Sequence, residues 1–246
     1  MSNIPKKIHY CWFGGNEKPE IVIKCMASWE KYMTDYQICE WNETNYDCHK
    51  VPYIHEAYCA KKWAFVSDYA RFDILNEFGG IYFDTDVELL KRIPDEILDK
   101  TAFTGIESSG SVNPGLVFAS IPNTFFLKDI LKRYNNSCFM IEGKPNYKTV
   151  NMFTNEILLP KGLMKENRYQ EIYEISIYPS ECFCGYDQDV HEYDIRPETI
   201  SVHHYAGTWL EHSKKSDFLK KLKKIIGVRN YRRMLNFKRF ISKIGN

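Results

Sequence analysis

From residue 6 to about residue 212, short apolar runs alternate with stretches where apolar side chains recur at three- and four-residue steps. KKIHYCWF (6–13) is β-rich and closes on Gly14-Gly15, predicting a strand and a loop. Ile21, Ile23, Met26, Ala27 and Trp29 give a helical stripe over 19–33, with Pro19 suited to its first turn. YQICEW (36–41) alternates as a second strand, 42–53 reads as a loop, and 54–62 as a short helix. Over 63–78, Phe65, Tyr69, Phe72, Leu75 and Phe78 mark a stronger helix that ends at Gly79-Gly80. Ile81-Tyr82-Phe83 is a short apolar strand running into Asp84-Thr85-Asp86. Further strands are predicted at 101–106, 115–119, 172–178 and 199–205, and helices near 123–134 and 149–158. Strands alternating with helices predict one α/β domain over 1–212.

Beyond it the pattern changes. Over 213–246, Phe218, Leu222, Ile225, Ile226, Leu235, Phe240 and Ile244 interleave with bases at near-helical steps, and Gly227 divides the run into two amphipathic helices. Charge makes the division sharper. The whole chain of 246 residues carries 33 Lys/Arg against 32 Asp/Glu, a formal +1. Residues 214–246 alone hold 12 bases and one acid, Asp217, or +11; the other 213 residues hold 21 bases and 31 acids, or −10. A basic amphipathic tail suits an anionic membrane surface; the competing reading is a tail packed on the body with solvated bases. No nucleic-acid motif or stacking platform accompanies the bases, so a nucleic-acid partner is not expected. Composition, 44% hydrophobic and 15% aromatic, excludes disorder. The N-terminus has no signal-peptide pattern, no run suits a membrane span, and the eight scattered cysteines read as reduced core residues. The expected location is cytoplasmic, peripheral on the inner face of the membrane.

The candidate chemistry centres on Asp84 and Asp86. An Asp-x-Asp triplet is a weak signal, and Asp187-Gln188-Asp189 shows how easily it arises. Context separates the first: it leaves an apolar strand after a helix and a Gly-Gly turn, and ligands of α/β sheets bind at strand carboxyl ends. Alternate residues of an extended backbone point the same way, so both carboxylates can face one Mg²⁺ or Mn²⁺. The plainer reading is a turn whose aspartates cap local amides. Asp68 and Arg71, at i and i+3, make either a surface ion pair of roughly 0.2–0.5 kcal/mol or an arginine fork held ready for phosphate. In SVHHYAGTW (201–209), a histidine could be a third metal ligand and Trp209 a phosphate donor; a core strand with one buried histidine is the alternative.

IPKKIHYCWFGG, AFVSDYARFDILNEFGGIYFDTDVELL and VHHYAGTW, in that order, resemble the DXD-containing glycosyltransferases of family 32, a group that includes bacterial capsular and exopolysaccharide sugar transferases. The resemblance spans about 3–212 and implies a GT-A fold, a Rossmann-like α/β domain binding a nucleotide sugar. It further implies Mn²⁺ (or Mg²⁺), a UDP-sugar donor and retention of anomeric configuration; the saccharide acceptor is expected to be lipid-linked because the basic tail suits a membrane surface. By matching positions, Asp84 and Asp86 are the DXD pair, with Asp86 on the metal and Asp84 sharing metal, ribose and sugar contacts. Asp68 and Arg71 hold donor sugar and diphosphate, and Tyr82 lies near the ribose. His204 is the third metal ligand, with His203 its runner-up. Trp209 meets the diphosphate and Trp12 lines the base pocket. Asn113 is a donor- or acceptor-sugar contact. One departure stands out: the family's Gly-Pro-x-x-x-Thr-like segment is here Lys148-Thr149-Val150-Asn151-Met152-Phe153-Thr154, without Gly-Pro, which leaves the acceptor side unassigned. The competing classes are an aspartate-nucleophile phosphatase using Asp84 and Asp86, and a non-catalytic sugar-binding or membrane-associated protein.

Overall fold

A computed structural model describes residues 3–187 and 192–206. In chain order it runs β1 (Lys7–Cys11), α1 (Glu20–Tyr32), β2 (Gln37–Trp41), α2 (Pro52–Cys59), α3 (Trp63–Phe78), β3 (Gly80–Tyr82), β4 (Val87–Leu89), α4 (Asp95–Leu98), β5 (Ala102–Ile106) and β6 (Val112–Ser120). Then come α5 (Phe125–Asn135), β7 (Met140–Ile141), β8 (Lys144–Pro145), α6 (Val150–Leu158), β9 (Gln170–Ile172), β10 (Ile175–Tyr178), α7 (Ser180–Phe183), β11 (Tyr186–Asp187), β12 (Glu192–Tyr193) and β13 (Ser201–His203). The predicted 213–246 helices lie outside the described residues.

Among the described residues, seven strands form one sheet in the order β2-β1-β3-β6-β5-β10-β9. Strands β1 and β2, β1 and β3, and β5 and β10 pair parallel; β6 runs antiparallel between β3 and β5, and β9 antiparallel to β10. The carboxyl ends of β1, β2, β3, β5 and β10 therefore share one edge with the amino end of β6. Helices α2, α3, α5 and α6 cover one face, with Tyr53, Phe72, Phe126, Tyr134 and Phe153 buried among them; α1, α4 and α7 cover the other, around Trp29, Leu98 and Phe183. Parallel strands covered on both faces are apolar throughout, as Ile81 and Tyr82 are.

Helix α3 departs from a one-faced amphipath. It lies between β1, β3 and β6 on one side and α2, α5 and α6 on the others. Asp68 and Arg71 are thus buried with the aromatic stripe, which overturns the surface ion-pair reading. Gly80 follows at φ +109°, where a Cβ would stand 2.7 Å from the Lys7 carbonyl and 2.9 Å from His9 Nε2; only glycine lets β3 dock against β1 here. His9 Nε2 donates to the Gly79 carbonyl (2.9 Å) and its Nδ1 accepts from Trp41 Nε1 (3.1 Å), an arrangement that only a neutral imidazole satisfies. Burial accordingly pulls the His9 pKa down to about 4.

Two strand predictions change. The run at 172–178 is a hairpin, β9 to β10, turning through Tyr173 and Glu174 at φ 52° and 67°. Neither residue type signals a left-handed turn, so sequence showed one strand where there are two. The strand predicted at 115–119 starts at Val112 instead. Pro114 cannot donate to a ladder, and the β5–β6 register shifts there, from Thr104 opposite Phe118 to Gly105 opposite Asn113.

Candidate functional site

Arg71 is the best-anchored charge at the strand-end edge. Its Nε donates to the Ser67 carbonyl (3.2 Å), its Nη2 reaches Asp68 Oδ1 at 2.7 Å, and its Nη1 lies 3.2 Å from Asp84 Oδ1. The guanidinium carbon stands 4.7 Å from the centroid of the Tyr82 ring. Residue 71 is only 2% exposed, and Nη1 makes no complete hydrogen bond to the described residues. A buried charge costs several kcal/mol unless it is well partnered. Here one cation serves two carboxylates, and one of its nitrogens is buried beside Asp84 without a complete hydrogen bond. Burial, with Asp84 adding, pushes Asp68 up to about 7 despite Arg71 beside it. The backbone amide of Val150, at the start of α6, also works against that rise.

Asp86 has its own partner in His203. Its Oδ1 accepts from His203 Nε2 at 2.9 Å and its Oδ2 from the Ala206 amide at 2.8 Å. Burial raises the Asp86 pKa, but His203 and the two amides outweigh it and hold the pKa at about 2. For His203, burial opposes the proton and Asp86 outweighs burial, so its pKa is raised. Strand β13 pairs with β4, which delivers His203 opposite Val87. His204 faces elsewhere: its Nε2 meets Glu88 Oε2 at 2.9 Å and its Nδ1 accepts from the Tyr193 hydroxyl at 2.8 Å. The histidine expected beside Asp86 is therefore His203, not His204, because the β13–β4 register alternates the two between neighbouring acids.

Tyr82 is 1% exposed, and its ring supports the Arg71 guanidinium. Trp12 follows β1 at the same edge, half-buried, with its indole N–H on the Asn16 carbonyl (2.7 Å) and Lys18 Nζ 5.8 Å from its ring. Trp209 lies outside the described residues.

Sequence reasoning missed the support on the far side of Asp84. The Asp84 amide donates to the Gly115 carbonyl at 3.2 Å. A Cβ on Gly115 would lie 2.1 Å from Asp84 Oδ2, so the carboxylate rests directly on that glycine. Asn113 Oδ1 accepts from the Gly115 amide (2.8 Å), and Asn113 Nδ2 donates to Glu107 Oε1 (2.7 Å). The Tyr205 hydroxyl reaches the same Glu107 oxygen at 3.3 Å. Glu107 closes β5, and its position at a strand carboxyl end was the one signal that could have exposed it.

Among the described residues, no three His, Cys, Asp or Glu side chains already converge as a metal cage. The donors nevertheless suit a hard divalent cation in kind. Asp84 and Asp86 supply carboxylate oxygens two residues apart, and the His203 imidazole is already at Asp86.

The model of the capsular polysaccharide synthesis protein family matches residues 1–183. This chain belongs to that family. The match contains Asp68, Arg71, Asp84, Asp86, Glu107 and Gly115 and stops before His203. A search of curated proteins returns no match. Among solved structures, the chain is similar to "PaToxG Glycosyltransferase", at 15% identity and TM-score 0.44 over 63% of this chain and 69% of that one. It is also similar to a glycosyltransferase involved in glycosylation of the major capsid of PBCV-1, at 13% identity and TM-score 0.48 over 83% and 94%. Among the described residues, no helix of this family member is long and apolar enough to cross a membrane.

Proposed function

We propose that this chain is a retaining, metal-dependent glycosyltransferase that moves a sugar from a UDP-sugar to a lipid-linked saccharide in capsular polysaccharide synthesis. The observation that carries the reading is the buried Arg71, fixed by Ser67 and Asp68, with Nη1 beside Asp84 at the carboxyl edge of the sheet's parallel strands. Family membership supplies the polysaccharide setting.

The physical need is to stabilise charge developing on a departing diphosphate. Arg71 Nη1 meets that charge without reorganising, since Tyr82, Ser67 and Asp68 already hold its plane. Asp84, Asp86 and His203 would hold Mn²⁺ or Mg²⁺, which supplies positive charge to the diphosphate oxygens. Asp68, Asp84 and Asn113 are placed to orient sugar hydroxyls, and Trp12 to line the base. With no nucleophile assigned, retention follows from attack on the face the diphosphate leaves, and the departing phosphate oxygen takes the proton of the acceptor hydroxyl. The basic 214–246 segment would bring this site to an anionic membrane face, where a lipid-linked acceptor resides.

The deciding experiment incubates the protein with Mn²⁺ and a panel of nucleotide sugars and follows release of nucleoside diphosphate. Release should depend on Mn²⁺, fall at least a hundredfold in Asp86→Asn, and persist in Asp95→Asn, a surface acid. Release of inorganic phosphate from phosphomonoesters, with no nucleotide-sugar turnover, would sink the proposal in favour of the phosphatase.

A further inference from the structure

Helix α2 carries a cluster of nitrogen and sulfur donors that the strand-end site leaves unused. Tyr53, Ile54 and Ala57 are buried on its inner side, so the helix is fixed on the body. His55 and Cys59 lie four residues apart, one turn along the same face, and both are exposed. Cys59 thereby departs from the expectation that the cysteines are core residues. Its Sγ stands 3.7 Å from His55 Nε2. The other nitrogen of that ring, Nδ1, is 2.6 Å from Nδ1 of His49. His49 is exposed but held: its amide donates to Asp47 Oδ1 (2.8 Å), and its ring meets the Tyr58 ring at 80° with centroids 5.3 Å apart.

These separations give the two histidines different tasks. With Zn–N of about 2.0–2.1 Å and Zn–S of about 2.3 Å, two ligands at a tetrahedral angle stand about 3.6 Å apart. His55 Nε2 and Cys59 Sγ, at 3.7 Å, already have that spacing. Two nitrogens on one such ion would stand about 3.3 Å apart, so His49 and His55 at 2.6 Å are hydrogen-bonded to each other and do not share an ion through these atoms. When His55 Nδ1 donates to His49, the proton is kept off Nε2 and its lone pair points to the Cys59 side. Metal-binding imidazoles carry this kind of outer hydrogen bond, which fixes both tautomer and ring plane.

We propose that His55 and Cys59 form a surface site for a borderline divalent cation of the zinc class, with water completing the shell and His49 as the positioning residue. On binding, Nε2 and Sγ each give a lone pair to the ion, and the thiol proton passes to solvent. The donor set separates this site from the other one. Nitrogen and sulfur favour a softer ion, whereas the carboxylate oxygens of Asp84 and Asp86 suit hard Mn²⁺ or Mg²⁺.

The test titrates Co²⁺ into the reduced, chelator-stripped full chain and follows thiolate-to-cobalt charge transfer in the near ultraviolet. The band should appear and saturate at one thiolate-bound Co²⁺ per chain. Cys59→Ser should abolish it, and Cys138→Ser, at a second exposed cysteine, should leave it intact. His55→Ala should weaken the apparent affinity at least tenfold, with a metal-free melting temperature equal to wild type. His49→Ala should keep the band and weaken affinity by roughly 10–100-fold. His49→Asn, whose Oδ1 can accept in place of Nδ1, should restore most of that loss. Equimolar Zn²⁺ should displace the cobalt, and excess Mn²⁺ should not. Absence of the band, a band that survives Cys59→Ser, or displacement by Mn²⁺ as readily as by Zn²⁺ overturns the site. Unchanged affinity in His49→Ala overturns the positioning role.

Discussion

Gly115→Ala isolates the placement of Asp84 from its chemistry. An ideal Cβ at 115 would stand 2.1 Å from Asp84 Oδ2, 3.1 Å from Asp84 Cγ and 3.0 Å from Asn113 Oδ1, whereas ordinary contact begins near 3.4 Å. The carboxylate must therefore retreat by the difference between 3.4 and 2.1 Å, or 1.3 Å. The backbone is poorly placed to share that shift. Residue 115 is in β6, flanked by β3 and β5, and its carbonyl holds the Asp84 amide. The displacement falls on a terminal carboxylate that rotates freely, taking it off Arg71 Nη1. A misplacement of about 1 Å at a reacting centre costs roughly 10²-fold in rate, or about 2.7 kcal/mol of barrier. The fold should lose little, because Gly115 is not in the left-handed region and alanine there gains roughly 0.4–1 kcal/mol from a stiffer unfolded chain. The expected result is a protein melting within a few degrees of wild type whose Mn²⁺-dependent nucleoside diphosphate release is down about a hundredfold. A variant with native melting and more than a third of wild-type turnover would refute the reasoning, since Asp84 could then be moved without consequence.

His9→Gln keeps the donor to the Gly79 carbonyl and removes the titration. The folded His9 pKa, about 4, lies below the ordinary 6.5, so between those values the unfolded chain binds the extra proton and stability falls as pH drops. Wild type should lose about 3 kcal/mol more than His9→Gln between pH 6.5 and 4 by urea melts; parallel profiles would show that His9 is not neutral in the fold. Arg71→Lys keeps the charge but loses the planar fork shared by Ser67, Asp68 and Asp84. Turnover should fall at least tenfold with about 2 kcal/mol of stability, whereas unchanged turnover would reduce Arg71 to a simple point charge. Converting Lys220, Lys221, Lys223 and Lys224 to Glu in the full chain should abolish flotation with phosphatidylserine vesicles, each base near such a surface contributing about 1 kcal/mol; equal flotation of wild type and variant would retire the membrane role.

What could be read in advance followed the strength of the local signal. Helix α3 was legible to the residue, 63–78, because its aromatics repeat at helical steps and Gly79 ends it. That Asp68, Arg71 and Asp84 come together was legible because a helix and the exit of a strand carry them at fixed spacing. The identity of the histidine at Asp86 was not, because adjacent residues of β13 differ only in register against β4, a long-range pairing. Glu107 and Gly115 were hidden for a related reason. Their roles exist only because β6 runs antiparallel between β3 and β5, which brings residues 107, 113 and 115 to the carboxyl end of β3. The β9–β10 hairpin was missed because residues other than glycine make its turn.

The charges at the site also constrain how a donor could arrive. Arg71 and His203 offset Asp84 and Asp86, and Asp68, raised to about 7, adds part of a further negative charge. A diphosphate brings about two more negative charges, and residues 1–213 as a whole carry −10. The body therefore repels the donor at long range, with screening confining useful attraction to about 10 Å at 0.1 M salt. Arg71 alone, already shared by two carboxylates, is too little to reverse that. A divalent cation drawn first to the acidic edge would change the sign locally, and linkage then requires nucleotide and cation to raise each other's affinity by the same factor. On this argument the acidity of the edge is useful. On the proposed reading it would make the site a cation trap first and an anion site second, and would keep free nucleotide out until the cation is in place.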